Sequence, residues 1–114
     1  MCDAFNRHDL DTIMACFADD CVLETPRGTE PWGSRFVGTD EVRRGLTARF
    51  EGMPDVRYDD GDHVACGHRG FSEWTIRGTT VDGERVEVRG CDLWTFDDDG
   101  LITRKDSYWK LRTS

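Results

Sequence analysis

Two tight turns between Phe71 and Leu111 constrain this chain more than any other feature, because each sets the pairing register of two β-rich runs. Val81-Asp82-Gly83-Glu84 is an Asp-Gly hairpin signal flanked by β-branched and aromatic residues. Pairing Val81 with Glu84 sets Arg77 against Val88, Thr75 against Gly90 and Glu73 against Asp92. Asp97-Asp98-Asp99-Gly100 reads as a four-residue loop, and pairing Phe96 with Leu101 across it sets Asp92 against Lys105. Directly paired residues share a sheet face. The turns therefore predict a row of Glu73, Asp92 and Lys105 across three strands, on one face with Phe71, Trp94, Phe96, Thr103, Ser107 and Trp109.

Two readings of that row stand side by side. A solvated ladder of cross-strand ion pairs contributes only about 0–1 kcal/mol. A row buried among bulky apolar groups has shifted proton affinities, which is how acid–base sites are made. Moving the second turn by one residue would replace Lys105 with Asp106 on the face of Asp92.

The rest of the chain supplies helices first and strands after. Asp9 to Asp19 reads as a short amphipathic helix, capped by Asp9, with Leu10, Ile13, Met14 and Phe17 at helical spacing. Cys21 to Thr25 looks like a brief strand stopped by Pro26. Gly28, Pro31, Gly33 and Gly38 mark a loop from Pro26 to Gly38, in which Trp32 and Phe36 are positioned to cover something. A second helix is expected after Thr39, with Val42, Leu46 and Phe50 as its apolar stripe and Gly52 and Pro54 ending it. Strands follow over Val56 to Cys66, Gly70 to Val81, Arg85 to Phe96 and Leu101 to Leu111. This order predicts an α+β fold, one domain over residues 1–114, with helices packed on one face of an antiparallel sheet. The second face carries Trp74, Ile76, Cys91, Leu93, Ile102 and Tyr108. Large apolar groups on both faces predict a homodimer through the outer one.

Composition excludes several function classes. With 23 acidic against 15 basic residues, the net charge of −8 argues against a nucleic-acid or membrane-surface partner. No apolar run reaches transmembrane length, and no signal-peptide pattern opens the chain, so a cytoplasmic protein is expected by default. Cys2, Cys16, Cys21, Cys66 and Cys91 are odd in number and lack a Cys-x-x-Cys pair, the pattern of small buried hydrophobes rather than disulfides or a zinc site. His8 reads as a helix-entry residue, and His63 and His68 as exposed turn residues without metal-ligand spacing. The acidic runs Asp97–Asp99 and Asp59-Asp60-Gly61-Asp62 lack calcium-loop spacing and read as solvated turns.

The order of elements, with Asp9-Leu10-Asp11, Phe17-Ala18-Asp19-Asp20-Cys21-Val22, Gly38-Thr39-Asp40-Glu41-Val42 and Gly90-Cys91-Asp92-Leu93-Trp94-Thr95-Phe96 followed by Gly100-Leu101-Ile102, resembles the SnoaL-like branch of the nuclear transport factor 2-like superfamily. The superfamily includes bacterial ketosteroid isomerases, and the resemblance spans nearly the whole chain, with the family's first helix largely missing. It implies a cone-shaped, strongly curved antiparallel sheet wrapped around N-terminal helices. Asp92 matches the isomerase aspartic acid that stays protonated and donates a hydrogen bond to a developing oxyanion. Trp109 matches a pocket-lining aromatic, and Lys105 falls at an apolar pocket position. The general base would fall at Thr25, which cannot abstract a carbon-bound proton, and the oxyanion-hole tyrosine near Met1. Steroid isomerisation by the usual mechanism is therefore not expected.

The candidates are then Asp92 and Glu73 as an acid–base pair with Lys105 positioning charge, and Thr25, Trp32, Phe36, Trp94 and Trp109 as the wall of a pocket. The expected activity is isomerisation, cyclisation or dehydration of a small, largely apolar carbonyl compound, without cofactor or metal. A non-catalytic module of the same fold, binding an apolar ligand or simply dimerising, is the competing reading. A void beside Asp92 favours the first; a sealed, mutually paired triad favours the second.

Overall fold

The Asp-Gly hairpin forms, but with a three-residue loop. Thr80 and Glu84 close it (Thr80 N–H donates to the Glu84 carbonyl at 2.9 Å), and Gly83 takes the left-handed conformation at φ 88°. A three-residue loop ending in a left-handed glycine is a common hairpin solution and leaves Val81 72% exposed. The structure, a computed structural model, describes residues 2–110. Its elements are α1 (Cys2–Asn6), α2 (Leu10–Met14), β1 (Phe17–Glu24), β2 (Arg35–Val37), α3 (Thr39–Gly52), β3 (Arg57–Cys66), β4 (Arg69–Thr79), β5 (Arg85–Phe96) and β6 (Ile102–Trp109). The expected helix from Asp9 to Asp19 is shorter, because Phe17 already pairs with Ile102 and opens β1. The expected ends of the last strand at Leu111, and the tyrosine position near Met1, lie outside the described residues.

The six strands form one open, curved sheet in the order β2-β1-β6-β5-β4-β3. From β3 to β6 it is the expected antiparallel meander, but β1 joins β6 in parallel. Glu24 pins this junction. It is fully buried at the end of β1, accepts from Arg35 Nε of β2 at 2.8 Å, and is also bonded by the Arg104 guanidinium of β6. Curvature has a local cause as well. Between Asp59 and Asp62, β3 carries one residue more than β4 spans, and Asp60 takes φ 58° to accommodate it. The acidic run expected as a turn is thus a bulge within a strand.

The concave face holds the core. Cys21, Leu23, Trp74 and Ile76 meet Val42, Leu46 and Phe50 of α3, with Ile13 and Phe5 from the short helices. His8, at φ 55° between those helices, stacks on Phe50 at 4.3 Å and binds the Val56 carbonyl through Nε2 at 2.9 Å. Among the described residues no helix is long and apolar enough to cross a membrane.

Trp74 pairs with Gly90, and its ring occupies the space a side chain there would need. A Cβ on Gly90 would lie 2.5 Å from Trp74 Cζ3 and 2.6 Å from the Tyr108 carbonyl oxygen. Gly90→Ala should therefore lower stability in urea denaturation by about 1–3 kcal/mol, the usual cost of overpacking.

Candidate functional site

The three-residue hairpin loop shifts the β4–β5 register by one. Glu73 pairs with Cys91, and Ser72, not Glu73, stands opposite Asp92. A one-residue shift reverses faces, so Glu73 is exposed on the convex side, away from the other two members of the expected row. Trp74 and Ile76, expected on the outer face, point into the core instead, and Phe71 pairs with Leu93 rather than Trp94.

The β5–β6 register moves by two in all, one residue at the turn and one at an irregularity beside it, which preserves faces. Phe96 pairs with Ile102 across a loop organised by Asp97, whose Oδ1 accepts from the Asp99 and Leu101 amides, both at 2.9 Å. A further irregularity between Thr95 and Phe96 completes the slip, so Asp92 pairs with Ser107 and Trp94 with Lys105. Lys105 reaches Asp92 diagonally. Its Nζ donates to Asp92 Oδ1 at 3.0 Å and to Ser107 Oγ at 2.8 Å. Ser107 Oγ in turn donates to Asp92 Oδ1 at 2.5 Å, and Trp74 Nε1 donates to Oδ2 at 2.9 Å. Asp92 and Lys105 are 4% and 5% exposed. Nζ also lies 5.5 Å from the Phe5 ring centre and 5.6 Å from that of Trp94, within range of cation–π attraction.

Two cavities meet at this cluster. The larger, about 350 Å³, is walled by apolar groups including Phe5, Trp74, Trp94 and Phe96, with Asp92, Lys105, Ser72 and His63 as its polar members. The second, about 230 Å³, lies between the end of β6, α3 and the loop after β1. Lys105, Tyr58 and Trp74 line both. Tyr58 meets Trp74 edge-on, with ring centres 5.0 Å apart.

The expected pocket residues divide between these spaces. Trp94 lines the first; Thr25, Phe36 and Trp109 line the second. Thr25 also fastens the loop, donating from Oγ1 to the Arg27 carbonyl at 2.8 Å. Trp32 lines neither cavity. It is 41% exposed with the Arg35 guanidinium 4.2 Å from its ring centre.

Several site residues went unrecognised in the sequence. His63, read as an exposed turn residue, faces Ser72 across β3–β4, and its Nδ1 shares a 2.6 Å hydrogen bond with Ser72 Oγ. Ser72 also accepts from Trp94 Nε1 at 3.0 Å. The alternation of Ser72, Trp74 and Ile76 was the available signal, since an apolar stripe at period two marks the core face. Arg27 and Arg49 had no such signal. They lie 5.6 and 4.6 Å from the Trp109 ring centre, beside the second cavity.

Chemically, the cluster offers an ammonium with two of its three N–H groups engaged, and a carboxylate receiving three donors, both in apolar surroundings. Such a pair can hold and polarise a carbonyl oxygen and exchange protons with it. Lys105→Met leaves the buried carboxylate without its counter-charge and should cost about 3–5 kcal/mol in chemical denaturation, whereas an exposed pair would cost under about 1. The double variant Lys105→Met with Asp92→Leu should recover part of that loss.

The sequence matches the SnoaL-like domain family over residues 1–105. Among solved structures, a nuclear transport factor 2-like protein of unknown function from Burkholderia pseudomallei is 24% identical, with a TM-score of 0.82 over 95% of this chain and 83% of that one. A second protein of the same kind, from Mesorhizobium loti, is 28% identical with a TM-score of 0.77, covering 96% and 84%. An epoxide hydrolase/cyclase-like enzyme of pyran ring formation in the polyether salinomycin is 19% identical, with a TM-score of 0.79 over 96% and 84%. No curated protein matches the sequence.

Proposed function

Because the chain belongs to the SnoaL-like domain family, we propose that it is a cofactor-independent acid–base enzyme acting on a small, largely apolar carbonyl compound. The fold's members include cofactor-free isomerases and cyclases, and the fold alone does not choose among them. The observation that carries the proposal is the buried Asp92–Lys105 pair in the wall of the apolar cavity of about 350 Å³.

In this reading the substrate's apolar body packs against Trp94 and Trp74, and its carbonyl oxygen accepts the third N–H of Lys105. Negative charge developing on that oxygen is stabilised by an ammonium already fixed by Asp92 and Ser107, without reorganisation of water. Asp92 takes or returns the α-proton, and Ser107, bonded to both charges, keeps them aligned as the proton moves. Glu73, on the convex side, is no longer a partner in the step. Isomerisation, cyclisation and dehydration all begin with such a proton transfer.

A ligand-binding module is the second reading, favoured by the three donors that saturate Asp92. Deuterium exchange at the α-carbon of 2-tetralone, followed by proton NMR, separates the two. The enzyme reading expects exchange well above buffer, and a loss of about 100-fold or more in Asp92→Asn with a modest change in melting temperature. Binding of the ketone without accelerated exchange would leave the module.

The proposal includes a homodimer joined through the convex sheet face. That face carries half-buried Leu93 and Cys91 beside Tyr108, which is 51% exposed, so a second copy would cover apolar surface left open in the single chain. Light scattering should give twice the chain mass, and Leu93→Glu should halve it. A monomer at micromolar concentration would contradict the dimer.

A further inference from the structure

We infer that the second cavity is an anion-recognition subsite, and that the compound bound here is an organic acid whose carboxylate meets Arg27 and Arg49. The inference rests on the acid–base reading only for the identity of the reacting end; the anion site stands on its own geometry.

The chain carries eight more acidic than basic residues, yet the cavity is lined by Arg27, Arg49 and Lys105 and, among the described residues, by no Asp or Glu. Lys105 is already neutralised by Asp92 at 3.0 Å. The other two are not: among the described residues neither guanidinium has an ion-pair or hydrogen-bond partner, and both lie against the Trp109 ring. By contrast, Arg35, Arg43, Arg57, Arg77 and Arg104 each pair with a carboxylate. Two adjacent cations without an acid repel each other, and Arg49 is half-buried, which deprives it of part of its hydration. Burial holds the Arg49 guanidinium below the ordinary arginine range; Tyr58 partly offsets this, and the nearby Arg27 charge adds to it. A protein with acids to spare would lower this cost by one substitution; a ligand's carboxylate does so when bound, with guanidinium forks matched to its two oxygens.

The walls define the rest of the ligand. Leu23, Phe36, Leu46 and Trp109 make an apolar space of about 230 Å³, suited to a ring system. Lys105 lines both cavities, so a molecule anchored at Arg27 and Arg49 extends towards the ammonium that would polarise its carbonyl. The two arginines then fix which end of the substrate enters.

The test compares 2-naphthoate with 2-naphthamide, near-isosteres that differ in charge, by calorimetry on the wild-type chain and on Arg27→Met, Arg49→Met and Arg49→Lys, with folding checked by circular dichroism. The acid should bind about tenfold or more tightly than the amide in the wild type, as expected for charge-assisted hydrogen bonds. The preference should shrink in both methionine variants, be partly kept by Arg49→Lys, and weaken in about 0.5 M salt. Equal affinities, a preference that survives Arg27→Met and Arg49→Met, or no binding of either compound would overturn the inference. Failure of the acid–base reading looks different: the acid preference persists while α-carbon exchange stays at the buffer rate.

Discussion

A lysine and an aspartate buried within hydrogen-bonding distance set the terms for the rest of this structure. Neither charge is tolerable alone in surroundings of Phe5, Trp74 and Trp94, so the strands that carry them are fixed to one another. Asp92 is on β5, Lys105 and Ser107 on β6, and the Trp74 indole that completes the carboxylate's shell on β4. The same four groups separate two cavities. The wall between them is therefore charged, with Lys105 facing both spaces beside Trp74 and Tyr58.

Much of this was legible in the sequence, and what was not has a definable cause. Helix α3, the long strands, the α+β plan and the proximity of Asp92 to Lys105 follow from periodicity, caps and turns, whereas the strong curvature of the sheet was implied by the family resemblance. The failure came from loop length. An Asp-Gly signal is compatible with two-residue and three-residue loops, and the extra residue transfers Glu73 to the opposite face while bringing Ser72 opposite Asp92. The β5–β6 turn slipped by one residue and the bulge beside it by another, so the error cancelled in face though not in partner. Tertiary packing decides such cases: with Trp74 and Ile76 buried, the core is filled, whereas the shorter loop would have turned both outward. Arg27 and Arg49 were illegible for another reason. They come together around Trp109 from a loop and a helix that are neighbours only in the folded chain.

Charge is distributed in a way that composition hides. The surplus of acid is carried largely on exposed loops and strand faces, as in the Asp97–Asp99 turn and Glu73, while the charged groups that line the second cavity are cations. Glu24 on the other side of the sheet is matched by two arginines, so its burial is compensated within the chain. At the second cavity compensation is lacking. This contrast, one buried acid with two bases and two bases with no acid, distinguishes a structural ion cluster from a binding surface in the same small domain.

The central claim is that Lys105, fixed by Asp92, meets the ligand's carbonyl oxygen. The most direct measurement is the nitrogen-15 NMR signal of the Lys105 ammonium, assigned through Lys105→Arg, before and after addition of 2-tetralone. The account predicts a slowly exchanging ammonium resonance that shifts as the ketone saturates. A Lys105 signal unmoved while the indole resonances of Trp74 and Trp94 shift would show a ligand held by its apolar body alone, and would contradict the claim.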